Sequence, residues 1–323
     1  MGSMKVYIIK RSIQLILVIF FVLFLNFIII NAAPGNPAQL MAGEYSTEEY
    51  IKAIEARWGL DKPIHIRFLI YMKNLLHGDL GYSYRYLEPV SKLIMERIGK
   101  TLLLTVPSII LAFLVGVWLA RIAARKPGGK LDVSLSIITL IFYSMPSFWL
   151  GLLLILVFGV KLGILPIAGM TNIRAVYSSS WDKAFDILKH MVLPVTTLML
   201  IQIPAYFRIT RGAIIEQSTE DYVKTFDAVG FSKKHIFNKY IFRNAILPPV
   251  TILGLRLGYA FSGAALVEIV FGWPGMGRLL LDAAFARDYP LIMGIYLVIA
   301  VSVAVAIFIT DLLYAVLDPR IRY

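Results

Sequence analysis

Six long apolar stretches, separated by polar and charged turns, set the pattern of the chain: approximately 12–32, 102–120, 133–160, 191–207, 246–271 and 290–314. A helix needs about 20 mostly apolar residues to cross roughly 30 Å of hydrocarbon. Each stretch is therefore predicted to span a membrane, and the chain to be all-α and polytopic, with six transmembrane helices. The fourth is the least regular, because Pro194, Gln202 and Pro204 interrupt it. Lys5, Lys10 and Arg11 precede the first, as in a signal peptide. Its apolar run exceeds the usual h-region of about 7–15 residues, so it is read as an anchor.

Two of the intervening segments carry structure of their own. Residues 33–101 open on Pro34-Gly35-Asn36-Pro37, a turn. Ser46-Thr47-Glu48-Glu49 then reads as a capping box, Tyr50, Ile51, Ile54 and Trp58 follow at helical spacing, and Gly59 stops that helix. A second helix is predicted over 63–76. The other segment is 208–245. Ser218-Thr219-Glu220-Asp221 again has the form of a capping box, followed by the apolar stripe Tyr222, Val223, Phe226 and Val229. Gly230 breaks the helix, and Ser232 can cap a second one whose stripe is Ile236, Phe237, Tyr240 and Ile241. The expected organisation is a first anchor over 1–32, an external helical segment over 33–101, and a five-helix core over 102–323 that includes a helix–glycine–helix loop at about 216–245.

Composition narrows the class further. The chain is 59% hydrophobic and 16% charged with a mean hydropathy of +0.75, whereas soluble domains carry about 25% charged residues. The net charge of +12 does not imply nucleic acid, because the basic residues lie in short loops without interleaved aromatics. With the N-terminus placed inside, the inner segments hold sixteen Lys and Arg and the two short outer loops hold six. That excess predicts both termini in the cytoplasm of a multi-pass protein in the cell membrane. The absence of cysteine excludes disulfides and thiol chemistry. His65, His77, His190 and His235 are scattered, and no His-Glu-x-x-His occurs, so neither a metal site nor a membrane metalloprotease is expected. An ion-coupled secondary transporter, the rival from another class, should show internal repeats and midplane acids; no clear repeat is present. Gly128-Gly129-Lys130 lacks the first Gly and the Ser or Thr of a phosphate loop, so no ATP site is expected in this chain.

The loop around Gly230 carries a resemblance. From Asp221-Tyr222-Val223-Lys224-Thr225 through Gly230 to Arg243-Asn244-Ala245 and Pro248, it is similar to the cytoplasmic signature of ABC importer permeases, although Lys224-Thr225-Phe226 stands where that signature has Glu-Ala-Ala. Further blocks resemble the oligopeptide/dipeptide/nickel branch, B-type permease subunit. They are Trp58-Gly59-Leu60-Asp61-Lys62-Pro63, Gly78 to Ser83, Arg97 to Thr101, Met145 to Gly151, Glu268 to Gly277, Arg287-Asp288-Tyr289-Pro290 and Leu317 to Arg322. The resemblance implies a transport subunit, not an enzyme. It implies a second homologous permease, two ATP-binding subunits that hold the ATP and Mg, and an extracellular substrate-binding protein. It also implies that the loop is a coupling helix, with Phe226, Phe231 and Phe237 as apolar anchors and Asp227, Gly230, Lys233, Lys234 and His235 completing the contact. Peptide is the implied cargo, with oligosaccharide as the alternative.

The membrane interior holds three ionisable residues, Arg256, Glu268 and Asp311. Intramembrane charges are costly and mark candidate sites. Arg256 facing the path could hold a substrate carboxylate, or it could be clamped to Asp311. Glu268, near the outer end, is expected to reach the interface. Ser144 and Ser147 flank the break at Pro146, and Gln202 lies between two prolines. Broken, polar spans are tolerated where they line a cavity, so Ser144, Ser147, Gln202 and Arg256 are predicted to line the path.

Overall fold

The computed structural model describes residues 2–32, 38, 47–59 and 61–317. Among them the elements are helical, apart from an isolated bridge between Tyr82 and Pro89. Contacts divide the chain into two units, Met1–Gly99 with Leu279–Tyr323, and Lys100–Arg278.

In the first unit α1 (Gly2–Ala32) is followed by α2 (Glu48–Trp58) and α3 (Ile64–Leu76), close to the predicted spans. Thr47 caps α2, accepting from the Tyr50 amide at 3.4 Å. Gly59, at φ 64°, ends it in the left-handed conformation that glycine adopts without steric cost. The Phe68 ring of α3 meets Phe20, Phe24 and Phe27 of α1 edge-on, at 6.0, 5.6 and 5.2 Å. Burial beside this cluster pushes the Tyr71 phenol up to about 12. The last helix of the chain, α14 (Tyr289–Leu317), packs along α1. At its start the buried Asp288 carboxylate accepts the Ser83 hydroxyl at 2.5 Å and the amides of Arg85 and Leu291 at 3.2 and 3.4 Å, which pins the 82–89 segment. The Pro34–Pro37 turn and the tail after Leu317 lie outside the described residues, as does the side chain of Asp311.

The second unit begins within α4 (Val90–Ala123). It continues through α5 (Lys130–Ser144), α6 (Ser147–Leu154, extended by a π-helical turn over Ile155–Lys161) and α7 (Ser180–Ser218). Then come α8 (Asp221–Ala228), α9 (Lys233–Ile236, running on in π-helical form to Ile241), α10 (Phe242–Ala245) and α11 (Leu247–Tyr259). A 3-10 turn at Ala260–Ser262 leads to α12 (Ala265–Val270), and α13 (Met276–Phe285) passes into the first unit. Gly116 lets α4 approach α7: a Cβ there would stand 3.0 Å from the Ile203 carbonyl. Asp132 on α5, buried, takes a two-pronged bond from Arg211 on α7 at 2.6 and 2.7 Å.

Five described helices are long and apolar enough to cross a membrane, and six if the α5–α6 pair counts as one. The predicted third span is therefore broken: its halves bend by 103° at Met145-Pro146, where proline removes an amide and disfavours a helical residue before it. The predicted fourth span, 191–207, is the centre of the 39-residue α7. The predicted fifth span, 246–271, is not continuous. Lys233–Ser262 forms one helical run, and the chain then breaks at Gly263, whose φ of 76° and ψ of −177° belong to a region essentially restricted to glycine.

Candidate functional site

The segment 219–245 forms the predicted helix–glycine–helix. Gly230 turns it at φ 92°, and Ser232 caps α9 by accepting from the His235 amide at 3.3 Å. One expectation needs correction. Ser218 and Thr219 do not cap α8; their hydroxyls donate to the carbonyls of Ile214 and Glu216, closing the end of α7, because a Ser or Thr hydroxyl on a helix can reach back to the carbonyl three or four residues earlier.

The hairpin's apolar faces settle which of its aromatics face outward. Phe226 and Phe237 pack inward on Ile214, Ile236, Ile241 and Ala245, and Phe226 stacks on Tyr240 at 4.2 Å. Phe231 remains exposed, together with Val229, which is 71% exposed and was read in the sequence as part of an apolar stripe. Asp227, Lys233 and Lys234 are exposed around them, and His235, half-buried, stacks on Phe231. The base of the hairpin is fastened to α4. Arg121 donates to Asn238 Oδ1 at 2.9 Å, and its guanidinium lies 4.8 Å from the Phe242 ring centroid. Nearby, the Gly128 amide donates to Asp132 at 2.9 Å. The amide that a phosphate would need in Gly128-Gly129-Lys130 thus already faces a carboxylate.

Of the four predicted path residues, three meet. Ser147, Gln202 and Arg256 line one cavity of about 240 Å³ with Thr105, Ser108 and Ser262. Ser144 does not belong to it; it lines a separate apolar groove with Phe148 and Trp149, its hydroxyl donating to the Leu140 carbonyl. The 103° bend separates the two serines that sequence proximity grouped together.

Glu268 does not reach the interface. It is fully buried. Its carboxylate accepts the Thr101 hydroxyl at 3.0 Å, the Arg278 amide at 2.8 Å and the Ala264 amide at 3.4 Å. Thr101 in turn accepts the Met276 amide at 2.7 Å, and the buried Trp273 indole donates to the Lys100 carbonyl at 2.8 Å. A Cβ at Gly275 would collide with the Glu268 carboxylate, and one at Gly263 would stand 2.8 Å from it. The glycines of this block leave room for a buried acid, and the acid satisfies the loop amides. Residues around Thr101 and Glu268 stood out in the sequence, but their pairing across 167 positions had no local signal.

Residues 112–323 match the family described as binding-protein-dependent transport system inner membrane component, and residues 4–105 match its N-terminal counterpart. The chain belongs to this family. It is a permease subunit of an ABC importer, a multi-pass membrane protein that works in a complex with other subunits. It is 36% identical to the oligopeptide transport system permease protein AppB of Bacillus subtilis, over 99% of this chain and 100% of that protein. It is 36% identical to the di/tripeptide transport system permease protein DppB of Pseudomonas aeruginosa, over 98% of each. It is 35% identical to the dipeptide transport system permease protein DppB of Escherichia coli K12, over 93% of each.

Proposed function

We propose that this permease forms half of a peptide translocation pathway, paired with a second homologous permease, served by an extracellular binding protein and driven by two ATPase subunits that hold ATP and Mg. Both termini are placed in the cytoplasm, which puts the Gly230 hairpin there as well. The observation that carries the reading is the division of the hairpin: an inward face fixed to α4 and α7, and an outward tip of Val229, Gly230 and Phe231 ringed by charge. A rigid base with an apolar, charge-rimmed tip suits a plug that seats in a partner's groove and transmits its movement. Closure of the ATPases would then push the hairpin, and through Arg121 and the α7 packing it would rock the helices that line the Arg256 cavity. The relatives named for oligopeptides and dipeptides favour peptide over oligosaccharide as cargo.

The chain has no cysteine, so a single introduced thiol reports one position. Val229→Cys is expected to cross-link to an ATPase subunit in the assembled complex, with a yield that changes when ATP is added. Modification of that thiol only by an impermeant reagent from the outer side would overturn the reading.

A further inference from the structure

The Arg256 cavity has an uneven distribution of hydrogen-bonding capacity. A hydroxyl has one proton to give, and of the five hydroxyl side chains that line this cavity, those of Thr105, Ser108 and Ser262 are already committed, whereas those of Ser147 and Tyr259 are not, among the described residues. Thr105 shares its one proton between the backbone carbonyls of Thr101 and Ala260, each at 3.0 Å, Ser108 donates to the Thr105 carbonyl at 2.8 Å, and Ser262 to the Tyr259 carbonyl at 2.7 Å. The Gln202 amide nitrogen is held by the Leu198 carbonyl at 3.0 Å, with Ser108 Oγ at 3.5 Å. These groups therefore face the cavity with lone pairs. Arg256 supplies the opposite character: a guanidinium with five N–H donors in a planar fork. No acid lines the cavity, and among the described residues no carboxylate pairs with Arg256. The clamp to Asp311 considered in the sequence falls on a side chain outside the described residues.

A cation in a membrane-spanning helix with no carboxylate beside it among the described residues is costly, and such residues are retained where they serve a pathway. The cavity, at about 240 Å³, is below the roughly 300–1,000 Å³ that encloses a whole drug-sized ligand. It fits one end of a longer substrate.

We infer that the cavity is a transit subsite for the terminal carboxylate of a peptide, with Arg256 taking the carboxylate and Gln202, Ser108, Thr105 and Ser262 accepting from the adjoining N–H groups. This rests on the translocation reading above and narrows it. A neutral oligosaccharide brings hydroxyls but no charge for the guanidinium, so the same chemistry selects against it. Arg256 is thus a specificity-determining residue in the permease itself, separate from any selection by the binding protein.

The test uses the full complex with its binding protein in proteoliposomes. Uptake of a tripeptide is compared with uptake of the same tripeptide as its C-terminal amide. Each is supplied at a concentration that saturates the binding protein, so that affinity for that partner drops out. The wild-type complex is expected to carry the free acid on the order of tenfold faster, the worth of one charge-assisted interaction. In Arg256→Gln that ratio should fall towards one, and in Arg256→Lys it should be partly kept. The ratio is independent of how much complex assembles. Equal wild-type rates for acid and amide would overturn the inference while leaving the peptide pathway standing, as would an Arg256→Gln complex that keeps the wild-type ratio. A wild-type complex that takes up neither peptide but takes up an oligosaccharide would overturn both.

Discussion

Thr101 and Glu268 form a two-residue hub: the threonine hydroxyl donates to the carboxylate at 3.0 Å while its oxygen accepts the Met276 amide at 2.7 Å. The acid is fully buried and also accepts the Arg278 amide. Removing it leaves several buried donors unsatisfied, each costing about 1–3 kcal/mol. Glu268→Ala is expected to destabilise the solubilised permease by about 3 kcal/mol, read as a lowered thermal midpoint. Gly275→Ala should do comparable damage, because its methyl group would enter the space of the carboxylate. Wild-type melting for both variants would refute this role.

The Asp132–Arg211 pair joins α5 to α7 with two short bonds. Asp132 is 2% exposed in its side chain and Arg211 31%, so the pair is only partly screened by solvent. Asp132→Asn is expected to cost about 1–2 kcal/mol. A double-mutant cycle with Arg211→Gln should show coupling above about 1 kcal/mol. An additive cycle would mean that the two side chains act independently.

Arg121 fastens the hairpin base to α4 through Asn238 and Phe242. Arg121→Ala is expected to leave the permease inserted and bound to its ATPases, yet to lower peptide uptake per ATP hydrolysed several-fold. Unchanged stoichiometry, measured in proteoliposomes, would refute a role for Arg121 in the proposed transmission of movement.

Gly230 sits at φ 92° with open space where a Cβ would be. Alanine there meets only dihedral strain, about 1–2 kcal/mol, whereas proline, fixed near −65°, cannot make the turn. Gly230→Pro should therefore abolish coupled uptake while Gly230→Ala keeps most of it. Phe231→Asp should weaken the proposed contact with an ATPase subunit without disturbing the hairpin, and Phe237→Asp should disorder the hairpin itself, because Phe237 packs inward. Limited proteolysis of the two variants distinguishes the outcomes.

In the first unit the buried Asp288 carboxylate holds the 82–89 segment through Ser83 and Arg85. Asp288→Ala is expected to release that segment, making it several-fold more sensitive to protease added on its side of the membrane. Protection equal to wild type would assign the pinning to other contacts.

The apolar runs, the helix stops at Gly59 and Gly230 and the cap at Ser232 were legible from residues alone, and the start of α2 to within one residue, since Thr47 and not Ser46 caps it. Each follows from local rules: hydrocarbon thickness, 3.6-residue spacing and the few residue types that close a helix end. Three things were decided only by the tertiary structure. Glu268 became a buried acceptor because Thr101, far away in the chain, and the Gly275–Arg278 loop were brought around it. Ser144 was parted from Ser147 by a bend whose angle no sequence spacing encodes. Phe226 and Phe237 turned inward and Val229 outward, because the neighbouring helices cover the base of both apolar stripes and leave the residues at the turn uncovered. Periodicity specifies that a residue lies on a face; only the packed chain specifies what that face meets.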